Sequence, residues 1–173
     1  MIRDIRKAFE ANDDTFLRNL ATEMARRAAI EQDRRTAQMA VIAYALSKIL
    51  TKPHFLRSHN WPRYRHAIIS ALRDAEEGRE NNVLERVERT IRRIDSEDGH
   101  FVKNVMDKAR SKMAAIAYSV GVSAHVAAHL FDADIHDVFD YVGKMKVHDE
   151  HVPKIGIKER IDALRRLMNA SGG

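Results

Sequence analysis

Cationic and aromatic side chains alternate in one short stretch of the sequence, residues 52–66. Lysine and arginine neutralise phosphates and aromatic rings stack on bases, so this combination is typical of surfaces that bind single-stranded nucleic acid. The stretch lies in a longer window, between Asp33 and Asp74, that has no acidic residue and a charge of +8. The sequence therefore predicts a DNA- or RNA-binding surface formed by Arg34, Arg35, Lys48, Lys52, Arg57, Trp61, Arg63, Tyr64 and Arg65.

The aromatic residues of this window also allow a simpler interpretation. Phe55 and Trp61 are large apolar side chains, and such side chains most often anchor a core. In that case the cations around them are ordinary solvated surface, and the window has no role in binding.

A pair of histidines is the second group that could do chemistry. His125 and His129 share one face of a helix, and Asp132 lies about one turn further along. Imidazole and carboxylate groups bind divalent metals, so these three residues are candidate metal ligands. The glutamate of the H-E-x-x-H pattern is absent, and two hydrogen-bonded or solvated histidines are the competing interpretation. We expect no other cofactor.

Catalytic signatures are missing from the sequence. It has no cysteine, no glycine-rich phosphate loop and no G-x-S-x-G motif. We therefore expect a binding protein rather than an enzyme, and a hydrolase that uses the candidate metal ligands is the alternative.

The elements that must position these residues are predicted to be helices. The chain has 173 residues, of which only 3 are proline and 7 are glycine, and apolar residues recur at helical spacing along most of it. We expect an all-α fold, a bundle of about eight or nine helices. The sequence has no apolar stretch long enough to span a bilayer and no apolar segment behind its charged N-terminus, so a cytoplasmic protein without membrane contact is expected.

Several helix boundaries follow from breakers and capping residues. Residues 52–61 are expected to form a loop, and Pro62 to be the first residue of the next helix. Ser96 is expected to cap a long helix that runs to about Ile116. Gly143 is expected to stop a helix, leaving residues 144–155 irregular, and a last amphipathic helix is expected around residues 157–167.

Residues 113–130 resemble a helix-turn-helix. Ala117 supplies the small residue where two helices cross, Gly121 the turn, Ser123 the cap of the second helix and Leu130 the closing apolar residue. The positions that would read bases hold no Arg, Lys, Asn or Gln. The resemblance therefore implies a packing unit or a protein contact rather than ordinary DNA reading.

Residues 127–144, together with residues 147–150, are similar to the C-terminal part of uncharacterised archaeal proteins. This resemblance implies an archaeal source and a small, DNA-binding-like helical module, and it implies no activity. The order of helices and breaks along the chain favours two parts, a helical bundle over residues 1–112 and a helix-turn-helix-like module over residues 113–173. A long helix could run through both parts across the boundary at residues 112 and 113, so one compact domain is the alternative.

Charge is unevenly distributed between these parts. Residues 113–143 contain no Lys or Arg but four aspartates, at positions 132, 134, 137 and 140. Opposite surface charges can pair two copies of a chain. The alternative function is accordingly a protein–protein assembly role, with a homo-oligomer formed through the acidic and apolar segment 123–143.

Overall fold

The computed structural model describes residues 1–79, 82–97 and 105–148, and that part of the chain is all-α with no strand. The helices of this part, in chain order, are α1 (Ile2–Glu10), α2 (Asp14–Glu31), α3 (Arg34–Leu50), α4 (Pro53–Arg57), α5 (Trp61–Glu76), α6 (Val83–Glu97), α7 (Val105–Ser119), α8 (Ala124–Phe131) and α9 (Ile135–His148). The expected all-α bundle is confirmed.

Helix α3 is the central element of the fold. Apart from the two arginines at its start, it is apolar around most of its circumference, the pattern of a helix that is buried on all sides. It packs most extensively against α2 and also contacts α1, α4, α6, α7 and α8. Its start is fixed by Asp33, whose carboxylate accepts hydrogen bonds from the backbone of Arg35 and Thr36. The Thr36 hydroxyl donates a further hydrogen bond that holds the pKa of Asp33 below its usual range.

The remaining helices surround this centre. α5 packs against α1 and α6, and α7 packs against α2, α3, α8 and α9. One apolar cluster includes residues from every helix described above, from Ile5 in α1 to Val138 in α9. The predicted boundary between residues 112 and 113 falls within α7. The division into two parts stays a prediction.

Three predicted boundaries are wrong. Residues 53–57 form the short helix α4, because Pro53 fits the first turn and Phe55 is buried. Ser96 lies near the end of α6, where its hydroxyl donates to the carbonyl of Arg93. Gly143 lies inside α9, which continues to His148. A helix interior accepts a glycine at a cost of about 1 kcal/mol relative to alanine, so a lone glycine does not end it.

Other predicted boundaries are confirmed. Ser123 caps α8 by accepting a hydrogen bond from the backbone of Val126, and Gly121 occupies the preceding turn with a φ of 111°. Asp134 caps α9, because its carboxylate accepts a hydrogen bond from the backbone of His136. α5 begins at Trp61, one residue before the predicted start at Pro62. The helix expected around residues 157–167, the irregular stretch 149–155 and the part of the long helix before Val105 lie outside the described residues.

Candidate nucleic-acid interface

The burial of α3 divides the basic window into two separate regions. Between residues 36 and 47, only Gln38 is exposed. Arg34 and Arg35 are exposed at the start of the helix, whereas Lys48 lies at its end. Lys48 follows Arg34 by fourteen positions in this helix, which corresponds to about 21 Å along the axis. The predicted residues therefore do not form one continuous surface.

Three further cations, from three different parts of the fold, lie near enough to Lys48 for their charges to act on it. Burial lowers the pKa of Lys48, and the nearby charges of Arg18, Lys112 and Lys52 lower it further, against the opposing effect of Asp14. Arg18 comes from α2, Lys112 from α7, and Lys52 from the connection after α3. We call Arg18, Lys48, Lys52 and Lys112 the cation cluster.

Aromatic rings and one carboxylate hold parts of the cation cluster in place. The Nζ atom of Lys48 lies 5.2 Å from the centre of the Tyr44 ring. The Nζ atom of Lys52 lies at the same distance, 5.2 Å, from the centre of the Phe55 ring. Such cation–π contacts orient an ammonium group without neutralising it. Arg18 forms an ion pair of 3.0 Å with Asp14, one turn earlier in α2.

Sequence reasoning missed Arg18 and Lys112. They lie outside the acid-free window, before Asp33 and after Asp74. Only the packing of α2 and α7 on α3 brings them to Lys48. Neither the composition of the sequence nor its local charge indicates that tertiary packing brings these residues near one another.

The aromatic residues of the predicted surface pack largely against the core. Phe55 is 3% exposed and presents no free face for a base. Trp61 and Tyr64 are both partly buried against the apolar cluster. The Trp61 ring meets Phe9 edge to face, with 6.1 Å between the ring centres. These contacts support the anchoring interpretation for Phe55 and Trp61.

The arginines of α4 and α5 differ in whether they are free to bind a ligand or are used within the fold. Arg57 and Arg63 are exposed. Arg65 donates a hydrogen bond of 2.8 Å from its Nη2 atom to the backbone carbonyl of Glu10, at the end of α1. That carbonyl has no partner within its own helix, so Arg65 serves to satisfy it and to join α1 to α5. Arg65 is therefore a structural tether, whereas Arg57 and Arg63 are exposed to solvent.

The three candidate metal ligands are not brought together. His125 and His129 lie one turn apart on α8, and both are exposed. Asp132 instead forms an ion pair of 3.2 Å with Arg110 of α7. Within residues 1–79, 82–97 and 105–148, no group of three or more His, Asp or Glu side chains could hold a metal ion. The described geometry therefore lends the predicted metal site no support.

Comparisons with known proteins give no family for this chain: no family model, no curated protein and no solved structure matches it. The similarity to archaeal proteins stays an expectation from the sequence. No helix in the described part of the chain is long and apolar enough to cross a membrane. What is established is the class, an all-α helical bundle.

Proposed function

We propose that the protein binds nucleic acid through the cation cluster, with Arg57 and Arg63 extending the contact. The observation that carries this proposal is the packing of α2 and α7 against α3, which places Arg18 and Lys112 near enough to Lys48 for their charges to act on it, as the charge of Lys52 does. A chain of phosphates would bring negative charge close to these cations, and that attraction favours the complex. Neutralising the phosphates also releases the counterions condensed on a nucleic acid, which drives binding.

The segment α7–turn–α8 has a supporting role in this proposal. The exposed face of α8 carries His125, Val126 and His129, with no lysine or arginine. Such a face offers little to a phosphate backbone. In the proposed function the helix-turn-helix-like segment therefore packs α7 in place, so that Lys112 reaches the cation cluster, and it does not read bases.

The test is a fluorescence-anisotropy titration with labelled duplex and single-stranded DNA and RNA, at low and moderate salt. We expect the logarithm of the association constant to fall linearly with the logarithm of salt concentration. The double variant Lys52→Gln/Lys112→Gln should bind about tenfold more weakly or worse, and its salt slope should fall by about 2, because each phosphate contact contributes about 1 to the slope.

A matched control removes two exposed cations elsewhere. Lys7→Gln/Arg26→Gln changes the net charge by the same amount at residues outside the cation cluster. This control should bind almost as well as the wild type. The proposal fails if the wild type does not bind at low salt, or if both double variants lose affinity equally, because binding would then report net charge alone. Thermal unfolding of each variant checks that it is folded.

A further inference from the structure

A groove lies between the turn that joins α2 to α3 and the exposed face of α8. Its volume is about 450 Å³, and its lining consists of Gln32, Arg34, His125, Val126, His129 and Leu130. Val126 is 39% exposed there, so the groove has an apolar surface that the described part of the chain does not cover. Arg34, exposed at the start of α3, places a positive charge at the groove, and no carboxylate is among its lining residues.

The neighbouring helix α9 offers the complementary surface. His136, Phe139, Asp140 and Gly143 are all exposed, and their spacing places them on one stripe of the helix. Phe139 is 50% exposed and touches Tyr118 edge to face, with 6.3 Å between the ring centres. The stripe therefore combines an accessible aromatic ring with an adjacent carboxylate, in a segment that contains no lysine or arginine between residues 113 and 143.

We propose that the groove of one copy of this chain receives the α9 stripe of a second copy, with Phe139 on the apolar surface at Val126 and Asp140 facing Arg34. In its own chain Phe139 does not line the groove, so the same molecule does not make this contact. A half-exposed phenylalanine gains by leaving water, and the opposite charges fix the orientation of the partner. The occupant is a second copy because this chain itself carries an aromatic and acidic stripe that matches a cationic, partly apolar groove.

The groove and the stripe are different surfaces, so the contact is head to tail. Contacts of this kind close into rings when the rotation between copies permits and otherwise extend into filaments. The inference is independent of nucleic-acid binding, because Arg34 lies at the opposite end of α3 from the cation cluster.

The experiment measures mass in solution by light scattering and sedimentation, over a wide range of protein concentration and with nucleic acid removed. The wild type should form oligomers whose mass rises with concentration and falls with added salt. Phe139→Ala should shift the protein to monomer. Arg34→Glu and Asp140→Arg should each do the same, because like charges then face each other in every contact.

The decisive measurement is the mass in solution of an equimolar mixture of the Arg34→Glu and Asp140→Arg variants. In the mixture, the introduced glutamate of one variant faces the introduced arginine of the other, and the native Arg34–Asp140 pair forms at the next contact, so alternating oligomers should reappear. Arg26→Glu, an exposed change on α2, is the control and should assemble as the wild type does. A wild type that stays monomeric throughout, oligomers indifferent to both charge reversals, or a mixture that remains monomeric would each overturn the proposal.

Discussion

Two arginines separated by a single residue in α5 have different roles. Arg63 is exposed, whereas Arg65 donates to the Glu10 carbonyl across 55 residues of sequence. Arg65→Met should lower the free energy of unfolding by about 1.5–3 kcal/mol, the range for hydrogen bonds that involve a charged group. Arg63→Met should leave stability almost unchanged and weaken nucleic-acid binding. Urea unfolding and anisotropy on both variants separate these effects, and equal stabilities would contradict the tether.

Arg110 joins three elements of the fold. Its Nη2 atom lies 2.5 Å from Glu88 in α6, and its Nη1 atom lies 3.2 Å from Asp132 after α8. The side chain is 17% exposed, so Arg110→Gln should destabilise the protein by about 1–3 kcal/mol. Arg27→Gln removes an exposed pair with Glu31 and should cost less than about 0.5 kcal/mol. Chemical denaturation of both variants makes the comparison, and similar losses would show that Arg110 is ordinary surface.

The burial of Tyr44 predicts that the protein loses stability at alkaline pH. Burial raises its pKa to about 12, from an ordinary value of 10.0. Its contribution to stability is complete below pH 10.0 and is lost as pH rises toward about 12, because the unfolded chain releases the proton first. The loss amounts to at most about 1.4 kcal/mol per pH unit. Tyr44→Phe should lose less stability than the wild type over this interval in urea titrations, and identical losses would contradict the assignment.

At the scale of elements, the tight packing around α3 makes the stability of the protein sensitive to the volume of the side chains buried there. Ala43 is fully buried in this helix, which is surrounded by neighbours. Ala43→Leu should destabilise the protein by about 1–3 kcal/mol, because the added atoms must displace packed side chains. Gln38→Leu, at an exposed position of the same helix, is the control and should change stability by less than about 0.5 kcal/mol. Thermal unfolding distinguishes the two, and an Ala43→Leu variant as stable as the wild type would indicate a loosely packed centre.

The sequence predicts those elements that depend on nearby residues. The cap at Ser123 and the turn at Gly121 are local, since each residue acts on its immediate neighbours, and both are found where expected. The short helix α4 was missed because its stability comes from burying Phe55 rather than from its five residues. The cation cluster was missed in part for a related reason, because Arg18 and Lys112 reach Lys48 only through tertiary packing.

At the scale of the whole molecule, the continuous apolar cluster predicts one cooperative unfolding transition. Trp61, the only tryptophan, packs against Phe9 in α1, while Val138 is fully buried in α9. Val138→Ala should destabilise the protein by about 1–3 kcal/mol. Tryptophan fluorescence should report this loss as fully as far-ultraviolet circular dichroism does. A fluorescence transition that stays at its wild-type midpoint would instead support two independently unfolding parts.

The attachment of α1 to α5 has a consequence for the order of events during synthesis. Arg6 forms an ion pair with Glu76, 70 residues later. The backbone carbonyl of Glu10 accepts a hydrogen bond from Arg65. The apolar residues of α1, Ile5 and Phe9, likewise belong to a core that later helices complete. Because α1 leaves the ribosome before α5, it can pack against α2 and α3 first and completes its docking only when α5 follows. Until then the part of its apolar face that α5 covers is open to water and to chaperones, which bind such faces on incomplete chains.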